Sequence, residues 1–170
     1  RLPVRNVVSW NALIAGYAQH EHSCKQALTC FQRMQHHGVS PNAVTYVCIL
    51  KACGSIGRAT MGKEIHNTIV QKGLLETNIL VGNTLVDMYA KCSAVAKARQ
   101  VFEQLPCRTV VSWNALISGY TQCGNGEEAL HCFEQMQQEG ISPDEVTFIC
   151  SLQACGSVGA FEKGKEIHAE

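Results

Sequence analysis

The sequence predicts an all-α solenoid of stacked helix–turn–helix units, and three observations predict it. The first is repetition. VVSWNALIAGYAQ from Val7 returns as VVSWNALISGYTQ from Val110 with two of thirteen positions changed. Self-similarity at a long period marks repeat architectures. The second is spacing. Trp10, Leu13, Ile14 and Tyr17 recur at i, i+3, i+4, i+7, the stripe of an amphipathic helix, and no strand-like alternation competes with it. The third is punctuation. All four prolines (Pro3, Pro41, Pro106 and Pro143) stand between such stripes, where a helix must stop.

The elements follow in order. Residues 1–6 read as the tail of a unit, because Leu2, Pro3 and Arg5 match Leu105, Pro106 and Arg108. Residues 7–42 hold the Trp10 stripe and a second one, Ala27, Leu28, Phe31 and Met34. Residues 43–78 hold Tyr46, Ile49, Leu50 and Cys53, then Met61, Ile65 and Ile69. Residues 79–109 hold Leu85, Val86 and Tyr89, then Ala98, Val101, Phe102 and Leu105. Residues 110–144 repeat the first unit, with QALTCFQRMQHHGVSPN returning as EALHCFEQMQQEGISPD. Residues 145–170 begin a second copy of the 43–78 unit: AVTYVCILKACGSIG becomes EVTFICSLQACGSVG, and GKEIH at 62–66 returns at 164–168. Ser9, Thr45, Ser112 and Thr147 are expected as N-caps of the first helices. Trp10, Leu13 and Tyr17, with Trp113, Leu116 and Tyr120, are expected between the layers, and the second helices outside. The chain lacks an initial Met and reads as a piece of a longer array. An uncapped solenoid leaves an apolar end face, so end-to-end self-association is expected.

Composition excludes several classes. Hydrophobic residues make up 46% of the 170, and Lys+Arg balance Asp+Glu at 14 each. That apolar content is too high for intrinsic disorder, and no run of about 18 apolar residues offers a membrane span. Zero net charge excludes a generic basic surface, so any nucleic acid must be held by placed groups. The 10 cysteines contain no CxxC pair, against structural zinc of the usual spacing. Cys30, Cys48 and Cys53 recur as Cys132, Cys150 and Cys155, which is how buried packing positions behave in a reducing setting.

Motifs that resemble chemistry dissolve on inspection. GRATMGK (57–63) and GAFEKGK (159–165) fit the opening of a phosphate-binding loop, but Glu64 and Glu166 stand where Ser or Thr must hold magnesium, and no strand precedes them. His168-Ala169-Glu170 spells half of the zinc deaminase signature, yet His66, its repeat twin, is followed by Asn67. His20, His22, His36 and His37 fall at turns and helix ends and are expected in solvent. No catalytic triad, metal site or cofactor site emerges, and binding rather than catalysis is expected.

The unit sequences carry a resemblance. VSWNALIAGY with MQHHGVSPN looks like a P motif, AVTYVCILKACGSIG with MGKEIH like an L motif, and ILVGNTLVDMYAKC with ARQVFEQLP like an S motif of the pentatricopeptide repeat family, PLS subclass. The order is the end of an S motif (1–6), P (7–42), L (43–78), S (79–109), P (110–144) and partial L (145–170). The resemblance implies a right-handed α–α superhelix that binds single-stranded RNA in a mitochondrion or chloroplast, as the recognition part of a C-to-U editing factor whose deaminase, if any, lies outside this chain. It implies about one base per repeat, read by the fifth residue of the first helix and the last residue of the unit. Those residues are Asn11 with Asn42 (C or U), Asn83 with Thr109 (a pyrimidine, with Thr departing from the usual Asn or Asp) and Asn114 with Asp144 (U over C). Val47 with Asn78, and Ile149, are the weaker L-motif positions, which space rather than read. Val8, Val44, Leu80, Val111 and Val146 match the position that wedges against bases. L motifs of the family also dock helper proteins.

An asparagine in a first turn can simply support the helix terminus. Its return at 11, 83 and 114, in units whose other residues differ, sets these three apart. They are expected to lie exposed along the concave face. The competing function is a protein-interaction scaffold, since α-solenoids present concave surfaces to peptides as well.

Overall fold

The structure is a computed structural model that describes residues 6–169. The resemblance of Leu2, Pro3 and Arg5 to a unit end lies outside the described residues, as does Glu170. The helices are α1 (Val7–Ala18), α2 (Cys24–His36), α3 (Ala43–Ser55), α4 (Ala59–Gln71), α5 (Leu74–Thr77), α6 (Ile79–Lys91), α7 (Val95–Glu103), α8 (Val110–Gln122), α9 (Gly126–Gln138), α10 (Glu145–Val158) and α11 (Phe161–Ala169). A 3₁₀ turn, Glu21–Ser23, precedes α2. This turn and the one-turn α5 carry no apolar periodicity, and the sequence analysis did not foresee them.

The fold is an all-helical solenoid of two layers. The first helices α1, α3, α6, α8 and α10 pack in series, each on the next. Each second helix packs on its own first helix, and α2, α4, α7 and α9 also pack on the first helix of the following unit. Each inter-unit seam therefore joins three helices or more.

The caps differ from expectation. The N-caps are Asn6, Asn42, Asn78, Thr109 and Asp144, and each side chain accepts the backbone N–H three residues on. Ser9, Thr45, Ser112 and Thr147 are not the caps; they sit one turn later, at the third helical position. The cap falls to the short polar residue that ends each unit, because the two residues between already have helical backbone. Thr45, Ser112 and Thr147 return a bond to the cap's own N–H, completing capping boxes. Such a cap contributes about 0.5–2 kcal/mol. At the other end of α2 and α9, Gly38 and Gly140 take left-handed φ of 70° and 73°. The next N–H then reaches back: Val39 donates to the Met34 carbonyl and Ile141 to that of Met136, at 3.1 Å each. This 6→1 closure needs a residue without Cβ penalty, hence glycine.

The core is one cluster along the whole array. Trp113 is 1% exposed and meets the Phe102 ring edge-on at 4.5 Å. Trp10 and Leu116 are buried as expected, but Leu13 is 42% exposed, and Tyr17 and Tyr120 are only half-buried. Leu13 lies on the side of α1 that no described helix covers. Cys24, Cys30, Cys53, Cys132 and Cys155 are buried, and burial pushes the Cys53 thiol up to about 12. These are packing cysteines. GRATMGK and GAFEKGK span the turns into α4 and α11, a helix–turn–helix context.

Candidate nucleic-acid interface

The open face of the first-helix layer is built at the unit joints. The cap of one first helix and the fifth residue of the preceding first helix meet there, although roughly 30 residues separate them in sequence. Asn11 Nδ2 donates to Asn42 Oδ1 at 3.0 Å, Asn83 Nδ2 to Thr109 Oγ1 at 3.0 Å, and Asn114 Nδ2 to Asp144 Oδ1 at 2.8 Å. The three residue pairs singled out in the sequence are thus three hydrogen-bonded pairs in space.

The asparagines are not openly exposed, and that expectation is corrected. Asn11, Asn83 and Asn114 are 9%, 6% and 8% exposed, because the cap of the next unit folds over each. They sit in a polar seam at the edge of the core, leaving only a thin edge toward the cleft. Their partners are more open: Asn42 and Asp144 are exposed and Thr109 is half-buried.

Asp144 is the charged member of the set. Burial alone would raise its pKa. The backbone N–H of Thr147 and the amide of Asn114 bond the carboxylate, the Thr147 hydroxyl lies 3.0 Å from it, and together they outweigh burial, holding it below the ordinary value of 3.8. The carboxylate therefore stays ionised at neutral pH, with one oxygen committed to the joint.

Apolar side chains bracket these pairs. Val8, Val44, Leu80, Val111 and Val146 are 70%, 55%, 58%, 57% and 50% exposed, each on the first turn of its helix. A buried stripe one turn away shows that the chain had the choice of hiding them. Aliphatic edges standing free beside polar pairs can take flat aromatic faces. Between α6, α8 and α10 lies a cleft of about 550 Å³ lined by Leu80, Asn83, Val111, Asn114, Asp144 and Val146. Lys51, Thr84, Asp87, Lys91, Ala115 and Ser118 complete it, and Lys91 is paired with Asp87 at 2.8 Å. The sequence analysis missed Lys51 and Lys91. Their signal was a cation late in a first helix of otherwise apolar character.

The positions expected to space rather than read behave differently. Val47 is buried, while Ile149 is 49% exposed; neither can bond a base edge. Asn78 caps α6 through Val81 N and is not paired with Val47. Elsewhere, His66 Nδ1 and Tyr89 OH meet at 3.0 Å in the interior, and burial lowers the His66 pKa. His20, His22, His36 and His37 are exposed. Among the described residues there is no cluster of metal-ligating side chains and no helix long and apolar enough to cross a membrane.

A solenoid of two-helix units, with polar pairs and free aliphatic side chains at three of its joints, defines a helical-repeat protein. Comparison with known proteins gives the family. The model of the PPR repeat family matches residues 5–55 and 108–157, and a PPR repeat model matches residues 83–110. The chain belongs to the pentatricopeptide repeat family. Among its relatives, pentatricopeptide repeat-containing protein At4g30700 of Arabidopsis thaliana is 42% identical over 97% of this chain and 21% of its own length. The mitochondrial protein At3g02330 of the same plant is 42% identical over 94% of this chain and 17% of its own. The chain thus spans about a fifth of the length of these relatives. Among solved structures, PPR10 in complex with an 18-nucleotide psaJ RNA element superposes with a TM-score of 0.81 at 20% identity, covering 96% of this chain and 24% of the other. The PPR domain of Arabidopsis thaliana protein-only RNase P 1, in complex with tRNA, gives 0.73 at 13% identity, covering 96% and 87%. At such identities the likeness shows the fold.

Proposed function

We propose that this chain binds single-stranded RNA in a sequence-specific way, about one base per P- or S-type unit, and that it serves as the target-recognition part of an organellar C-to-U editing factor. The observation that carries the reading is the pairing of Asn11 with Asn42, Asn83 with Thr109 and Asn114 with Asp144, each beside exposed aliphatic side chains. Bases splayed from a single strand offer Watson–Crick edges that repeat proteins read with two or three side chains. The amide N–H and cap of each pair suit a pyrimidine edge, and Val8, Leu80 and Val111 wedge between neighbouring bases. The PLS unit order assigned above belongs to this reading. Val47 and Ile149 make the L-type units spacers, whose other faces dock helper proteins. Relatives named as mitochondrial favour an organellar setting, mitochondrion or chloroplast, and any deaminase chemistry resides outside these residues.

The test is binding of labelled pyrimidine-rich single-stranded RNA against duplex of equal length, at two salt concentrations. Preference for the single strand, with a shallow salt slope because few cations line the cleft, is the expected result. Equal binding of duplex, or capture of peptides with no RNA bound, contradicts the reading and favours a protein-interaction scaffold.

A further inference from the structure

The three pairs are not chemically equal, and the difference lies in the third residue of the following helix. At the first joint the polarity of every group is dictated. The Thr45 backbone N–H can only donate, so the Asn42 atom it meets at 3.1 Å is oxygen. That oxygen also receives Asn11 Nδ2, which turns Asn11 Oδ1 toward the Thr45 hydroxyl, at 2.6 Å. The hydroxyl accepts from Asn42 N at 3.1 Å, and its single proton goes to Asn11 Oδ1 at 2.6 Å rather than to Asn42 Oδ1 at 3.1 Å, because the shorter contact is the stronger bond. The fourth joint repeats this closed ring. Thr147 N donates to Asp144 Oδ1 at 3.0 Å, Asn114 Nδ2 donates to the same oxygen, and the Thr147 hydroxyl donates to Asn114 Oδ1 at 2.5 Å.

The third joint lacks the ring. Ser112 turns its hydroxyl to the Thr109 carbonyl, at 2.9 Å. Asn83 Oδ1 is left buried with no partner. Ser9 makes the same turn toward Asn6 O at 2.9 Å. The two serines behave alike and the two threonines behave alike, as expected when a β-methyl restricts χ1. Moreover, Asn83's one partner is the Thr109 hydroxyl, which can accept from Nδ2 or donate to Oδ1. Rotating the Asn83 amide by half a turn exchanges one bond for another.

From this we infer that Thr45 and Thr147 are positioning residues that lock the amides of Asn11 and Asn114 with N–H toward the ligand, whereas Ser112 leaves Asn83 free to present either end. The inference rests on the RNA reading and adds a rule to it. Uracil offers an O4 acceptor where cytosine offers an N4–H donor, so a locked N–H favours uracil. A locked amide distinguishes them, and a rotatable amide beside a hydroxyl does not. The unit at 79–109 therefore takes U and C alike, and the locked units at 7–42 and 110–144 discriminate.

The test exchanges the two hydroxyl residues, Thr147→Ser and Ser112→Thr, in the full chain. Both substitutions keep the capping oxygen and alter one methyl. NMR of the asparagine side-chain amides reads the lock without RNA: Asn83 signals should be broadened by exchange and Asn114 signals sharp, and the swaps should transpose the two. Titration with single-stranded oligonucleotides carrying U or C opposite each unit reads the consequence. One net hydrogen bond corresponds to a U-to-C ratio of roughly 2- to 10-fold, expected at the 110–144 unit and near unity at 79–109, again transposed by the swaps. Amide signals that ignore the swaps overturn the inference. Sharp, swap-sensitive amides with no RNA bound by the unsubstituted chain overturn the RNA reading instead, and with it the base rule.

Discussion

α1 and α8 begin with the same eight residues, VVSWNALI, yet they live in different surroundings. α8 lies between α6 and α10, whereas α1 packs only on α3 among the first helices. Leu116 is 0% exposed and its twin Leu13 is 42% exposed. A Cβ on Gly119 would stand 2.7 Å from Ala90 Cβ, while one on Gly16 meets nothing within 4 Å. The same side chains are core in one copy and surface in the other. The stripe in the sequence marks a capacity for burial, and the neighbouring unit realises it. In a solenoid, stability resides in the interfaces between units as much as in the units.

The largest effect separating the twins should come from Leu116→Ala. Emptying that fully buried site is expected to cost about 2–5 kcal/mol. Leu13→Ala should stay within about 0.5 kcal/mol, as exposed substitutions do. Urea denaturation of the two variants measures the gap, and equal losses would mean that α1 has a cover the structure does not show.

Glycine gives the next largest difference, and here the sign changes. Gly119→Ala forces α8 away from the α6 backbone at Ala90, and overpacking of this kind costs about 1–3 kcal/mol. Gly16→Ala meets open space in a helix interior and should stabilise by up to about 1 kcal/mol. Thermal midpoints should therefore move in opposite directions.

The smallest difference concerns the caps Asn42 and Asp144. The folded state holds the Asp144 carboxylate below its unfolded value of 3.8. Its stabilising contribution is thus complete above that pH and fades as the pH falls through the depressed folded value. The Asn42 joint carries no such charge. Asp144→Asn should flatten that part of the acid unfolding curve and leave the neutral region nearly unchanged.

These contrasts show what a sequence makes legible. The repeated two-helix pattern could be read from repetition and spacing, because it depends on local chemistry repeated in register, whereas the partners at three joints came from the family resemblance. Cap positions slipped by one turn because Ser and Thr suit both the cap and the third helical position; only the polar residue at each unit's end settles which one caps. The exposure of Asn11, Asn83 and Asn114 was misjudged because it depends on the next unit folding over them, a contact between residues roughly 30 positions apart. The bridging role of Thr45 and Thr147, and its absence at Ser112, went unread for the same reason. The hydroxyl recurring three residues after four of the five unit boundaries was its only trace.

The central claim is that a joint pair reads a base, and Asn114→Thr tests it most directly. The substitution places a Thr beside Asp144. Threonine is shorter and leaves room for a purine while failing to span the gap to a pyrimidine edge. Affinity is measured for otherwise identical single strands carrying U or G opposite the 110–144 unit. The account predicts a loss for U of about 1–3 kcal/mol, taken from the scale of base readout in duplexes, together with a gain for G. An equal loss for both bases would contradict it, and would leave Asn114 as a residue that only ties one unit to the next.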